Sequence, residues 1–478
     1  MAARRPGTGE STPARVHFRS LPEAGRAEKF EALAGTSLHD DSWTDCPSDW
    51  RAPFLPRRSA EWAGYPALDQ LFDYDGSGVM PGRTWVIAPD TQSLEARWKR
   101  LQAETDPNKK EMLFHPHLRG GKPGDKHLNK VVKEGLTGHR HAALSVANDK
   151  GPMNVPQRYG FRSFDRQWII PDARLINQAN PNLWATNSPR QIYATAPHDR
   201  TPTGGPALAI TSLIPDLHHY NGRGGRVFPL WADSESKTHN FAPGIIAELS
   251  APLGFEVTPE DLFAYIAAVA AHPDYTARFA KDLKQPGLRI PLTVDADLFA
   301  QAVRLGREIV WLHTFGDRFA DPAAGRPAGA PRMPEYGPVV SKDGTIPDSP
   351  ERFPQDISYN GDTRRLHVGD GYIDNVSPAM WTYEISGVPV IQHWFSYRRR
   401  DRERPVIGDR RPPSPLGRIQ PEAWLAEYTS ELVNVLHILG RLVALEPQQA
   451  ELLKRIVSGP TLTTDRLREA GVIAEVPS

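Results

Sequence analysis

Forty-six prolines in 478 residues are what most restrict this chain. Each proline fixes its own φ near −65°, removes a backbone donor and pushes the residue before it out of the helical region. Regular elements must therefore be short and joined by many irregular connections. Helical spacing survives in places. Thr258-Pro259-Glu260-Asp261 reads as an N-cap followed by proline at the first helical position, and Leu262, Phe263, Ile266, Val269 and Ala270 then recur at helical intervals. Pro273 ends that helix, and a second carries Tyr275, Phe279 and Leu283. A third, begun by Asp295, lines up Leu298, Phe299, Ala302, Leu305, Ile309 and Leu312. A last helix is predicted from near Pro421 through Leu439, with a separate shorter one from Pro447 to Val457. These apolar stripes read as core faces, not cofactor boxes.

Elsewhere the runs are strand-like. Arg158 to Thr195 is the densest: Arg158, Arg162 and Arg166 share nine residues with Tyr159, Phe161 and Phe164. Trp168-Ile169-Ile170 follows, closed by Pro171, then a loop rich in Asn, Gln and Arg, then Ile192 to Thr195. Ala207 to Ile214 reads as a buried strand between Pro206 and Pro215, with Arg226 to Trp231 as its neighbour. The loop between them holds His218, His219, Asn221 and Arg223, and Gly222, Gly224 and Gly225 let its backbone turn sharply or approach a partner. Further strands are expected at Arg364–Val368, Ala379–Ile385 and Val388–Phe395. Nearer the start, a short strand at Val16 precedes a helix ending at Gly35, and a strand from Thr84 to Ala88 precedes a helix capped by Asp90 or Thr91. Gly76-x-Gly78 fits no phosphate-loop spacing and reads as a turn.

Formal net charge is zero, 57 basic against 57 acidic residues, which argues against a coat-like nucleic-acid binder but not against local clusters. Two such clusters exist. His115 to His141 carries Arg119, Lys122, Lys126, Lys130, Lys133 and Arg140 against Asp125 and Glu134; it reads as a solvated linker or as a contact to DNA backbone. Arg398 to Arg411 is similarly dense. A single cysteine, Cys46, excludes a disulfide framework and a thiolate metal cluster. No apolar run is long enough to span a membrane, and no apolar stretch follows the basic first residues, so a cytoplasmic location is expected.

Arg, Asn and Gln carry donor forks that match phosphates and the edges of guanine and adenine. The candidate DNA-contacting residues are therefore Arg158, Tyr159, Arg162, Arg166, Asn187, Arg190, Gln191, His218, His219, Asn221, Arg223, Arg226, Arg398, Arg399 and Arg400. Residue types alone favour the plainer reading, a strand pair with charged outer faces. His218 and His219 lack a third ligand at helical spacing, so loop packing or a nucleic-acid contact is favoured over metal. Catalytic motifs are missing: there is no [N/D]-P-P-[Y/F/W], no G-x-x-x-x-G-K-[ST], no G-x-S-x-G and no H-E-x-x-H. No strand pair presents a PD-(D/E)xK nuclease motif convincingly.

Several stretches resemble the C-terminal specificity domain of type ISP restriction–modification enzymes. Tyr159 to Arg166 is similar to the Y-x-P-F-D-x-R element that opens such domains, with Arg162-Ser163 in place of the proline and its neighbour. Pro273, Tyr275, Phe279 and Leu283, then Leu288-Arg289-Ile290-Pro291, then Leu312-His313 follow the family's order, with Leu288 replacing a proline. Trp381-x-Tyr383-x-Ile385-Ser386-Gly387 and Trp394 to Arg398 resemble two later elements, and Asp75 to Val79 with Arg83-Thr84-Trp85 resembles the segment joining a methyltransferase core to this domain.

The resemblance implies an α+β fold: a mixed, mainly antiparallel β-rich target-recognition domain packed against a helical bundle, with a small α/β N-terminal connector. The implied organisation is a disordered tail (1–14), a connector (15–114), a basic linker (115–156), a recognition domain (157–457) and a C-terminal tail (458–478). Within the recognition domain, strands fall in 157–257 and 358–397, helices in 258–315 and 421–457, and a loop insertion in 320–357. It also implies a partner in double-stranded DNA and a second in a methyltransferase subunit, with nuclease or translocase functions. That subunit would bring S-adenosylmethionine for adenine N6 methylation, leaving no cofactor in this chain. The alternative is a divergent S-adenosylmethionine-dependent adenine methyltransferase whose cofactor site escapes motif reading.

Overall fold

The computed structural model describes residues 15–22, 24–47, 54–56, 59–119, 122–124, 126–400 and 411–474, and divides into two compact units, 1–64 and 65–478. The disordered tail read at 1–14, Trp50 and the arginines at 402, 404 and 410 lie outside the described residues. In the first unit, His17–Phe18 pairs antiparallel with Thr44–Asp45 around a helix, Arg26–Ala34, that Gly35 closes.

The second unit holds β1 (Gly76–Ser77), β2 (Ile87–Ala88), α1 (Thr91–Ala103), β3 (Gln157–Arg162), β4 (Asp165–Ile169), β5 (Tyr193–Pro197), β6 (Ala209–Thr211) and β7 (Gly225–Pro229). It continues with α2 (Pro259–Ala270), α3 (Ala296–His313), β8 (Ile357–Asn360), β9 (Arg365–Val368), β10 (Gly371–Ile373), α4 (Val390–Ser396) and α5 (Ala426–Ser458). Among the described residues its sheets of three or more strands are antiparallel, in the orders β6-β5-β7-β1, β2-β4-β3 and β8-β9-β10, beside several two-stranded pairs. The α+β expectation holds.

Local chemistry explains the element starts. Asp90 accepts from Ser93 N at 2.7 Å, Asp295 accepts from Leu298 N at 2.9 Å, and Thr258 and Asp261 cap each other reciprocally. Helices α2 and α3 pack closely because α3 carries Gly306 at the crossing: a Cβ there would sit 1.7 Å from the Ala264 carbonyl oxygen. α5 lies against both, and its buried Gln449 donates to Ala268 O at 3.1 Å.

Several predicted elements differ. Ala207–Ile214 and Arg226–Trp231 are not neighbours, because β5 runs between β6 and β7. The strands expected at Ala379–Ile385 and Val388–Phe395 are largely helical: Ser377 caps a helix over Pro378–Thr382, and α4 buries Val390, Ile391, Trp394 and Phe395. Burial at i, i+1, i+4 and i+5 is a helical pattern that a short apolar run conceals. The two C-terminal helices are one, with Pro447 inside α5. Its missing N–H leaves the Val443 carbonyl without its helical donor, and the burial of Leu442, Leu445, Gln449 and Leu452 on either side carries the helix through. In the basic segment, Leu128, Leu136 and Val146 join the core that also holds Trp85, Tyr159 and Ile169, so it is more than a solvated linker.

Candidate nucleic-acid interface

The β3–β4 hairpin organises the site. Arg162 faces Asp165 across the ladder, leaving a two-residue turn, Ser163–Phe164, with a register shift between Gly160 and Arg162. Phe164 adopts φ 61° and drives its ring to 4.8 Å from His313 and 6.0 Å from Tyr383. Ser163 then faces the next loop: its N–H donates to His219 O at 2.7 Å, and its hydroxyl lies 2.9 and 2.6 Å from the carbonyls of His219 and Tyr220.

Carboxylates claim most of the neighbouring cations. Asp216, 4% exposed, accepts from Arg162 at 3.0 Å, Tyr159 Oη at 2.9 Å and the His218 N–H at 2.8 Å. Burial, then that carboxylate's charge, raises the Tyr159 hydroxyl well above its ordinary range. Asp165 accepts from Arg398 at 2.8 Å, with side-chain exposures of 2% and 1%, and the Arg398 guanidinium lies 3.6 Å over Trp394. Arg166 pairs with Glu431 at 2.7 Å and stacks 3.8 Å over Phe315, and Arg158 pairs with Glu427 at 2.7 Å and lies over Trp168. Arg226 is bonded to Asp75. Arg158, Arg162, Arg166 and Arg398 tie the hairpin to α5, to Asp216 after β6 and to the end of α4, and Arg226 ties β7 to the residue before β1.

The other candidates divide by place. The β5–β7 register sets Pro197 opposite Gly225 and Tyr193 opposite Pro229. Loops 198–206 and 218–224 therefore leave one end of the sheet and 187–192 leaves the other, about 16 Å away along five residues. At the far end Gln191 is wholly buried, exchanging bonds with Thr186 and Trp231; Asn187 is half-buried; and Arg190, 60% exposed, bonds Glu260 at 2.6 Å. The structure does not bring these three to the hairpin tip.

At the tip end, loop 198–206 is tied to 384–388: Ser386 N donates to Gly204 O at 2.9 Å and Thr203 N to Ser386 Oγ at 3.1 Å. His219 is buried, hydrogen-bonded to Thr195 Oγ1 at 2.8 Å, and burial lowers its pKa to about 3, so it is neutral at pH 7. His218 is half-buried and also lowered by burial. Arg400 donates to the carbonyls of Glu422 and Pro350. Arg223 and Arg399 are exposed, and neither guanidinium has a polar partner among the described residues. His198 and Arg200 are exposed on the same side; sequence reasoning passed over them, although their position just after a buried strand was a usable signal.

The crevice lined by Arg162, Ser163, Asn221, Gly222, His393 and Trp394 encloses only ≈ 10 Å³, too little for an extruded base. Among the described residues no group of His, Cys, Asp and Glu could hold a metal, and no helix is long and apolar enough to cross a membrane.

What remains is a set of polar loops projected from small antiparallel sheets and stiffened by buried ion pairs, the construction of a recognition domain. The type ISP C-terminal specificity domain family matches residues 70–433, and the chain belongs to that family. No curated protein matches the chain significantly. Among solved structures, it is similar to a nuclease-deletion mutant of the type ISP restriction–modification enzyme LlaGI in complex with a DNA substrate mimic (16% identity, TM-score 0.55, 92% of this chain and 33% of that one). It is also similar to the DrdV–DNA complex (15%, 0.56, 94% and 43%) and to the ATP-dependent type ISP enzyme LlaBIII bound to DNA (13%, 0.57, 94% and 28%). The chain spans less than half the length of each of these enzymes, and the likeness is one of fold.

Proposed function

We propose that this chain reads the target sequence on duplex DNA in a type ISP-like restriction–modification system. Adenine N6 methylation, and any cleavage, would be carried out by a separate chain that brings S-adenosylmethionine. Membership of the specificity-domain family over most of the chain carries this reading. The loop cluster at the hairpin tip supplies the means.

In this mechanism the paired arginines have a positioning role. Arg158, Arg162, Arg166 and Arg398 fix the hairpin, and the hairpin fixes loop 218–224 through Ser163. Asn221 and Arg223, with His198 and Arg200 from the adjacent loop, enter the major groove and meet base edges. Arg399 and the lysines of the 115–141 segment meet phosphates, which sets register without reading sequence. The recognition domain is then residues 157–457 completed by the part of 65–156 that shares its core.

The test is fluorescence anisotropy of the full chain against a randomised duplex pool, followed by titration of the selected sites at several salt concentrations. A preferred sequence bound at least roughly 10³-fold over random DNA is expected. No preference at any salt would sink the proposal. Calorimetry with S-adenosylmethionine separates the alternative: binding to the isolated chain would favour a methyltransferase with its own cofactor site, and none is expected.

A further inference from the structure

We infer that Arg223 reads a guanine of the recognised sequence through the O6 and N7 atoms of its major-groove edge. The inference rests on the recognition function proposed above and adds the base and the residue that reads it.

Three features set Arg223 apart from the arginines around it. The first is its loop. Gly225 N donates to Leu217 O at 3.1 Å and closes the base, Gly222 N donates to His218 O at 2.9 Å, and Asn221 Oδ1 accepts from Arg223 N at 3.2 Å. Gly222 holds φ 74°, a conformation that a side chain would strain, so the loop reaches its apex in very few residues. Arg223 stands at that apex. The loop is also anchored below, where Ser163 grips the carbonyls of His219 and Tyr220 and Asp216 holds the His218 N–H.

The second feature is the free guanidinium. Arg162, Arg226 and Arg398 are each taken by a carboxylate, whereas Arg223 is exposed with no hydrogen bond or ion pair to its fork among the described residues. Asp216, the carboxylate closest to it in the chain, already accepts from Arg162, Tyr159 and the His218 backbone, so it has little left to attract a further cation. A loop already braced needs no backbone ordering when the fork binds, which leaves only the cost of fixing the Arg223 side chain itself.

The third is shape. Gly222 and Gly224 flank Arg223 without side chains; a Cβ added at Gly224 would meet nothing within 4 Å, whereas one at Gly222 would lie 3.5 Å from the His393 ring. The apex is therefore a narrow ridge, packed on its Gly222 side and open on its Gly224 side, with Arg223 between them. A major groove about 12 Å wide admits such a ridge, and arginine bidentate to guanine O6 and N7 is the commonest specific contact made there. A phosphate contact needs no such apex, and the salt dependence of the Arg223→Ala variant separates the two.

The experiment uses the full chain and the duplex selected from the randomised pool. Each guanine is replaced in turn by 7-deazaguanine, which lacks the N7 acceptor, and binding is measured for wild type, Arg223→Ala and Arg223→Lys at several salt concentrations, with melting curves as a folding control. One guanine is expected at which 7-deaza substitution weakens wild-type binding about tenfold, as for the loss of one contact worth about 1.4 kcal/mol. The same substitution should leave Arg223→Ala unaffected. Arg223→Ala should also relax the preference at that position by roughly 5- to 150-fold. Arg223→Lys should not restore it, because a point charge cannot make the paired contact. Melting should be unchanged in both variants. The inference is overturned if Arg223→Ala binds like wild type. It is equally overturned if Arg223→Ala weakens all sequences alike and lowers the salt slope by about one, the mark of a phosphate contact. If wild type itself selects no sequence, the recognition function has failed, and that result is distinct from either of these.

Discussion

The hairpin and the loop beside it use the same residue type for opposite ends. On the hairpin, Arg162 and Arg166 are drawn inward to Asp216 and Glu431, and Arg398 reaches back to Asp165 at 1% exposure. On the loop, Arg223 is exposed, and its fork is unengaged among the described residues. A cation removed from water must be matched by a fixed carboxylate, and the match commits donors of its fork to holding structure. The loop arginine keeps its hydration until a partner displaces it. Under the proposed function, the contrast separates the part that would hold the reading surface from the part that would read.

Substitutions can break this contrast, beginning with the strongest. Arg398→Ala leaves the buried Asp165 carboxylate without its counter-charge, holding only the hydrogen bond from Gln167 Nε2, and a loss of about 3–5 kcal/mol in urea unfolding is expected. A loss under about 1 kcal/mol would mean that the pair does not hold the hairpin. Arg162→Ala should cost about 2–4 kcal/mol, less because Tyr159 and the His218 N–H still reach Asp216. A double-mutant cycle with Asp216→Asn should show coupling above about 0.5 kcal/mol.

The buried histidines add a pH signature. Burial lowers His219 and His313 to about 3. Between an unfolded pKa of about 6.5 and that value the unfolded chain binds protons that the folded chain refuses, so stability falls as pH falls through this window. Each contributes up to about 1.4 kcal/mol per pH unit. His219→Gln should make the decline between pH 6 and pH 4 shallower by about one proton, read from the pH dependence of urea unfolding. An unchanged slope would show that His219 charges freely in the fold. The smallest effect is expected from Arg190→Ala, since that side chain is 60% exposed and its pair with Glu260 is open to solvent screening. A change above about 1 kcal/mol would place a structural brace at the far end of the sheet as well.

The parts of the fold that could be read from the chain were those written locally. Thr258-Pro259, Asp295 and Asp90 mark helix starts because a cap involves residues only two or three apart. Val388 to Phe395 was misread because eight apolar and polar residues satisfy both periodicities, and only burial of Trp394 and Phe395 beside Val390 and Ile391 selects the helix. The hairpin is visible in the sequence as a cluster of arginines and aromatics, yet the pairing of those arginines is not. Glu427 and Glu431 lie more than 250 residues from their partners, and Asp216 more than 50, so no local signal announces the pairing.

The sequence by itself determined the capped helix starts, the lack of familiar catalytic motifs and the family likeness, since caps and short motifs are properties of neighbouring residues. Only the tertiary structure decided which arginines are spent on internal carboxylates and which remain for a ligand. That outcome depends on distant acids meeting the hairpin in a space from which water is excluded, where a charge cannot remain unpaired.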